Sequence, residues 1–177
     1  MSKVYMGVDL SFAKSGVAVI GVKNRQPEIR YASLYTSDKD KLPHERVDDT
    51  ITYIKYLAST MNTVAIVKES SIIRQVSSAT PVIKTHAVFE HELYDKYDLG
   101  EVSNSTVKAW ARIVTGSEGK RHDKAMIGEA VEKYYGRQID EIWTPRGKLI
   151  DDVADAIALM TLWLEKEDII DTRYVKG

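Results

Sequence analysis

Four acidic residues carry the chemistry this sequence could do. Asp9 ends the short apolar run of residues 3–9 (KVYMGVD), and Glu69 directly follows a second run, residues 63–68 (TVAIVK). A carboxylate at the end of a buried strand must be paired, hydrogen-bonded or metal-bound, because burying it bare is costly or shifts its pKa. Asp152 and Asp155 stand three apart in DDVADAIALM, so one helical turn presents both on one face. Asp155 lies between Ala154 and Ala156, small neighbours that allow close packing on a sheet. Asp151 suits the first helical turn, where acids favour the helix dipole and cap free N–H groups. Ordinary roles compete with the chemical one: a strand-end turn for Asp9, capping for the helix acids. If the strands of Asp9 and Glu69 are parallel neighbours, however, both acids emerge at one edge of the sheet. Four converging acids cannot all stay ionised without cations between them. Oxygen-only ligands point to Mg²⁺ or Mn²⁺, and two such ions about 3.5–4 Å apart can activate water for in-line attack on phosphate.

The elements that must hold these acids follow from periodicity. Alternating or apolar runs predict strands over 3–9, 16–22 and 28–35, joined by tight polar connections into an antiparallel meander. Val47, Ile51, Ile54, Leu57, Ala58 and Met61 recur at steps of three and four, which predicts a helix with Pro43 in its first turn. The strand at 63–68 is then reached by a helical crossover and is expected to run parallel to the first. A second helix is expected over 80–97, with Pro81 early and Val82, Val88, Phe89 and Leu93 toward the core, followed by a short strand near 101–102. A third helix from Ser105 carries Val107, Trp110, Ala111 and Val114 on one face and stops at Thr115 and Gly116. After the charged loop 116–123, helical periodicity returns over 124–135, with Gly136 as C-cap. The last helix spans 151–166, with Val153, Ile157, Met160 and Leu164 on one stripe, and residues 167–177 are expected to be a loose tail. This order describes an α/β layer fold with a mixed sheet.

A chain of 177 residues fits one domain, residues 1–177, with one core. No apolar run approaches the ~18 residues of a membrane span, and residues 1–7 lack the basic start of a signal peptide, so a cytoplasmic protein is expected. The absence of cysteine excludes disulfides, thiolate-bound zinc, iron–sulfur clusters and a cysteine nucleophile. Net charge is −1, which alone suggests no polyanionic partner. The charges are segregated, however. Residues 107–124 hold five bases against two acids, and residues 149–177 hold seven acids against three bases. The basic segment is the expected phosphate-contacting face, its ordinary alternative being a solvated helix pair. His44, His86 and His91 suggest no ligand pairing, and His122 sits in the basic loop within reach of phosphate. Trp110 and Trp163 are expected in the core and Trp143 at an interface.

These residues carry a family resemblance. Val8-Asp9-Leu10-Ser11, with Ser15-Gly16-Val17-Ala18-Val19-Ile20, resembles the first hairpin of RuvC-type Holliday junction resolvases. Val64-Ala65-Ile66-Val67-Lys68-Glu69 is similar to their second acidic strand, and Asp152-Val153-Ala154-Asp155-Ala156-Ile157-Ala158-Leu159 to their C-terminal helix. Thr106-Val107-Lys108, Val114-Thr115-Gly116, Gly119 and Lys124 fall in the order of their DNA-binding stretch. The resemblance covers roughly residues 3–165. It implies an RNase H-like three-layer fold with a five-stranded mixed sheet flanked by helices, and a homodimer whose two sites nick opposite strands of a four-way DNA junction. By position, Asp9, Glu69, Asp152 and Asp155 become the catalytic, metal-binding acids, holding two Mg²⁺ or Mn²⁺ per site, with no nucleotide cofactor. Lys108 and Lys124 match junction-contacting lysines, and Lys120 or Arg121 of the longer loop here could take the place of Lys124.

Two departures from the family pattern stand out. Leu10-Ser11 follow Asp9 where the family commonly has Pro-Gly, and Ile72 stands where bacterial members often have an aromatic that stacks on bases. A stacked base is worth about 1–3 kcal/mol, so its loss points to a divergent, phage-borne member accepting other branched DNA, with Arg74 and Gln75 as substitutes. Such a protein would work in the host cytoplasm. Two rivals remain at this stage. An actin-like or sugar-kinase-like phosphotransferase shares the Gly7-Val8-Asp9 loop pattern but needs two domains and a second phosphate motif. A non-catalytic junction-binding protein would not need four acids.

Overall fold

The computed structural model describes residues 2–70, 76–117 and 125–173, with the side chains of 76–79 outside that description. Five strands form one sheet in the order β3-β2-β1-β4-β5. They are β1 (Lys3–Asp9), β2 (Lys14–Lys23), β3 (Gln26–Thr36), β4 (Ala65–Glu69) and β5 (Asp98–Val102). The first three form the expected antiparallel meander, while β4 and β5 each run parallel to the neighbouring strand on the β1 side. The β2–β3 connection is two residues long, and its Asn24 and Arg25 have φ of 52° and 62°, the left-handed pair that matches strand twist in a tight hairpin.

Helices α1 (Pro43–Thr60) and α2 (Val76–Leu93) cover one face of the sheet, and α3 (Asn104–Thr115), α4 (Ala125–Tyr135) and α5 (Asp151–Lys166) cover the other. Where one core was expected, strand alternation sorts the buried side chains into two, one on each face of the sheet. Val4, Met6, Val8 and Leu10 pack with Ile51, Ile54, Phe89 and Leu93 beneath α1 and α2, whereas Tyr5, Ala65 and Val67 pack with Trp110, Val131 and Ile157 on the opposite side. Helix starts use local chemistry. The Glu45 carboxylate accepts the Leu42 N–H at 2.8 Å ahead of Pro43, and the Ser103 hydroxyl accepts the Thr106 N–H at 3.3 Å.

Three sequence expectations change. Helix α2 begins and ends four residues earlier than expected, with Pro81 inside it, because Tyr94 to Tyr97 form the turn into β5. Its inner face carries Thr85 and His86 beside Phe89 and Leu93, so Val88 is exposed. Strand β5 is longer than expected, its Asp98 and Gly100 being weak strand formers, and Gly100 leaves the space that the Trp163 indole fills. Residues 167–173 are not a loose tail. Ile170 is fully buried, and Arg25 at the hairpin donates to the Asp168 and Asp171 carboxylates, each at 2.5 Å. Among the described residues no helix is long and apolar enough to cross a membrane.

Candidate acidic site

Side-chain alternation decides where the acids point. Val8 and Lys68 are paired across the parallel β1–β4 ladder, and Val8 faces α1 and α2, as does Ile66 of β4. Asp9 and Glu69, the next residues in each strand, therefore face the side covered by α5. Parallel pairing brings both to the same end of the sheet, as the sequence pattern anticipated.

The last helix reaches them because two glycines clear its path. A Cβ on Gly16, the residue paired with Asp9 across β1–β2, would collide with the carbonyl oxygen of Asp152. One on Gly7 would collide with the Ala156 carbonyl and, at 2.6 Å, with the Met160 Cβ. Backbone and small side chains thus lie in direct contact, and Asp152 and Asp155 are delivered over the ends of β1 and β4.

Electrostatics records the gathering. Burial, then the charges of Asp155, Glu69, Asp152 and Asp151, raises Asp9 from 3.8 to about 8. Burial, then Glu69, Asp151 and Asp152, raises Asp155 to about 7, with Lys108 of α3 pulling the other way. Each acid is thus a neighbour of the others, and Lys108 borders the group. Asp151, whose sequence position suits the first helical turn, contributes to the same field. Among the described residues, no group of three or more Asp, Glu or His side chains is arranged to hold a metal ion as it stands. The donor set is nonetheless all oxygen, and its mutual repulsion is of the kind a hard divalent cation relieves.

The turn after Asp9 is built differently from a Pro-Gly turn. Leu10 is buried beneath α2, and Ser11 and Ser15 close the turn on each other, the Ser11 N–H donating to the Ser15 hydroxyl at 3.2 Å and that hydroxyl to the Ser11 carbonyl at 3.1 Å. Of the expected DNA-contacting residues, Lys108 is half-buried on α3 beside Asp155. Lys120, Arg121 and Lys124, with His122, Ile72, Arg74 and Gln75, lie outside the described residues. Trp110 is in the core as expected, whereas Trp163 is half-buried against Tyr5. The half-buried Trp143 packs against the core and donates to the Glu132 carboxylate at 2.8 Å.

Sequence reasoning missed a polar group behind the sheet. Lys68 is 2% exposed, donates to the Glu101 carboxylate of β5 and lies 3.0 Å from the Glu90 carboxylate of α2. His86, one turn earlier on α2, lies with Nε2 at 3.3 Å from the Leu10 carbonyl. A carbonyl only accepts, so the imidazole proton sits on Nε2. Burial and then the Lys68 charge lower the His86 pKa, which favours that neutral form. A lysine following the apolar run of residues 63–67 (TVAIV) in a buried strand was the available signal, since a buried cation must have partners.

No protein-family model matches the chain, and no curated protein matches its sequence. Its fold does match solved structures. Thermus thermophilus RuvC in complex with a Holliday junction substrate is 15% identical, with a TM-score of 0.68 over 93% of this chain and 96% of that one. A second Thermus thermophilus RuvC structure gives 13% identity and 0.67 over the same shares. The fowlpox virus Holliday junction resolvase is 14% identical, with a TM-score of 0.56 over 93% of this chain and 99% of that one. The likeness is one of architecture, and the chain has the RNase H-like fold that these resolvases share.

Proposed function

We propose that this protein is a divalent-metal-dependent, structure-selective DNA endonuclease that resolves four-way junctions and accepts other branched DNA. The observation that carries the reading is the convergence of Asp9 and Glu69, from neighbouring parallel strands, with Asp152 and Asp155 of α5, where burial and then the charges of the neighbouring acids raise Asp9 to about 8 and Asp155 to about 7. Its support from the fold is that the neighbours include a RuvC solved with a Holliday junction substrate.

In this reading Asp9, Glu69, Asp152 and Asp155 would hold two Mg²⁺ or Mn²⁺ ions, and the chemistry such ions would supply when bound is activation of water and stabilisation of the leaving oxygen of the scissile phosphate. Asp9, which the charges of Asp155, Glu69, Asp152 and Asp151 all reach, would be the central ligand of that set. Lys108 sits at the rim, where its charge meets the DNA phosphate as it meets Asp155. The basic loop with Lys120, Arg121 and Lys124 extends the phosphate-binding face. Cleavage leaves a 5′-phosphate and a 3′-hydroxyl. A two-fold homodimer of one-domain protomers places two such sites on the quasi-two-fold junction and yields paired nicks. The protein acts in the cytoplasm, that of the host if phage-borne.

The test is cleavage of labelled four-way junction, flap, fork and linear duplex with Mg²⁺ or Mn²⁺. Paired nicks in the junction, with linear duplex spared, are expected. No cleavage of any branched substrate under any divalent condition would remove the nuclease reading.

A further inference from the structure

The ladder between the two acid-bearing strands stops one residue short of the acids. Its last pair is Val8 with Lys68. Asp9 remains paired outward to Gly16 of β2, and Glu69 outward to Val102 of β5, but no ladder pair spans the seam from Asp9 to Glu69. These two carboxylates therefore have no ladder pair of their own to fix their separation.

Helix α2 spans that seam from behind. His86 and Glu90 are four residues apart and so share one face of the helix. His86 Nε2 holds the carbonyl of Leu10, the residue after Asp9, and the Glu90 carboxylate holds the ammonium of Lys68, the residue before Glu69. Both contacts lie on the face of the sheet opposite the acids, His86 being 5% exposed and Lys68 held in a 2% exposed stem. One rigid element thus grips both strand ends at the residue adjacent to each acid.

We propose that His86 and Glu90 of α2 are positioning residues that set the Asp9–Glu69 spacing, and hence metal affinity, from the back of the sheet. The inference rests on the nuclease reading above. Neither residue touches substrate, and neither is a ligand; each acts by fixing one strand end. Glu101 belongs to the same group but lies on β5, beside β4 only, so it neutralises Lys68 without bridging the seam.

The test compares wild type with His86→Leu, His86→Gln and Glu90→Ala. Glutamine keeps an N–H donor near the place of Nε2, and Glu90→Ala leaves Lys68 paired with Glu101, so both variants should fold, as checked by circular dichroism. Two readouts are taken: Mn²⁺ affinity by calorimetry without DNA, and the Mn²⁺ concentration for half-maximal junction cleavage. His86→Leu and Glu90→Ala should each weaken Mn²⁺ binding about tenfold or more, the loss typical for residues that orient a metal ligand, with junction affinity in the absence of metal unchanged. His86→Gln should recover most of the loss. Wild-type Mn²⁺ affinity in folded Glu90→Ala, or loss of junction binding in parallel with loss of metal, would overturn the inference while leaving the nuclease reading standing. Wild-type protein that neither binds Mn²⁺ nor cuts would overturn both.

Discussion

Asp9 is held near neutrality by the chain that surrounds it. Its pKa of about 8 and that of Asp155 near 7 mean that the folded protein keeps protons which the unfolded chain, with aspartates near 3.8, releases. Where the unfolded state binds fewer protons, stability falls as pH rises, so metal-free protein should lose stability progressively between about pH 4 and pH 8. Under the proposed metal-binding reading, divalent cations would compete with those protons, and their stabilising effect should grow over the same window. Asp9→Asn removes the charge while keeping the shape. It should lower cleavage by more than about 100-fold, beyond the usual loss for residues that merely support a ligand, while leaving junction binding largely intact. In metal-free protein at pH 8 the same variant should melt higher than wild type, by about 2–4 °C for each kcal/mol of relieved repulsion. Calorimetric scans at pH 5 and pH 8, with a gel cleavage assay, check this. Full activity in Asp9→Asn would sink the assignment. The four acids were legible in the sequence because Asp9 and Glu69 end patterned strands and Asp152 and Asp155 lie at the start of a strongly patterned helix. His86, Glu90 and Glu101 were not, because what gives them meaning is a lysine on another element.

At the scale of elements, α5 and β1 were readable to the residue, since a long apolar stripe and a short apolar run leave little choice of period. Helix α2 was displaced because its inner face mixes Thr85 and His86 with Phe89 and Leu93, which blurs the apolar stripe that marks a helix face. The hub at Glu165 was invisible for a related reason. Its carboxylate accepts from the Trp110 indole at 3.1 Å, the Tyr134 hydroxyl at 3.0 Å and the Arg173 N–H at 3.2 Å, partners scattered over α3, α4 and the segment after α5. The packing of α5 on β1 and β2 allows a sharper test. Gly16→Ala inserts a methyl group where the Asp152 carbonyl already lies, and backbone cannot swing aside as a side chain can. The variant should cost about 1–3 kcal/mol in denaturant unfolding and, by lifting α5 off the strands, lower cleavage more than DNA binding. Unchanged activity in folded Gly16→Ala would show that the close approach does not set the acid geometry.

For the whole molecule, a net charge near zero conceals two territories. The acids of α5 meet those of β1 and β4 at one end of the sheet, and Lys108 on α3 borders them. If DNA lies along that border, Lys108→Ala should weaken binding to junctions of any sequence about equally and reduce the slope of log affinity against log salt by about one. Fluorescence anisotropy at several salt concentrations reads both quantities. An unchanged slope would place Lys108 away from phosphate and leave its role as a counter-charge for Asp155.

If the protein is the nuclease proposed, the order of its elements also governs when it could first cut DNA. The three-strand meander is local in sequence and can form as it leaves the ribosome, carrying Asp9 with it. Asp152 and Asp155 follow only with α5, after every strand and the other four helices. At about 5–20 residues per second, the early acid waits on the order of ten seconds for its partners. A nascent chain, or one cut short before α5, holds half of the acid set, and under that proposal it would leave the nucleic acid around it intact.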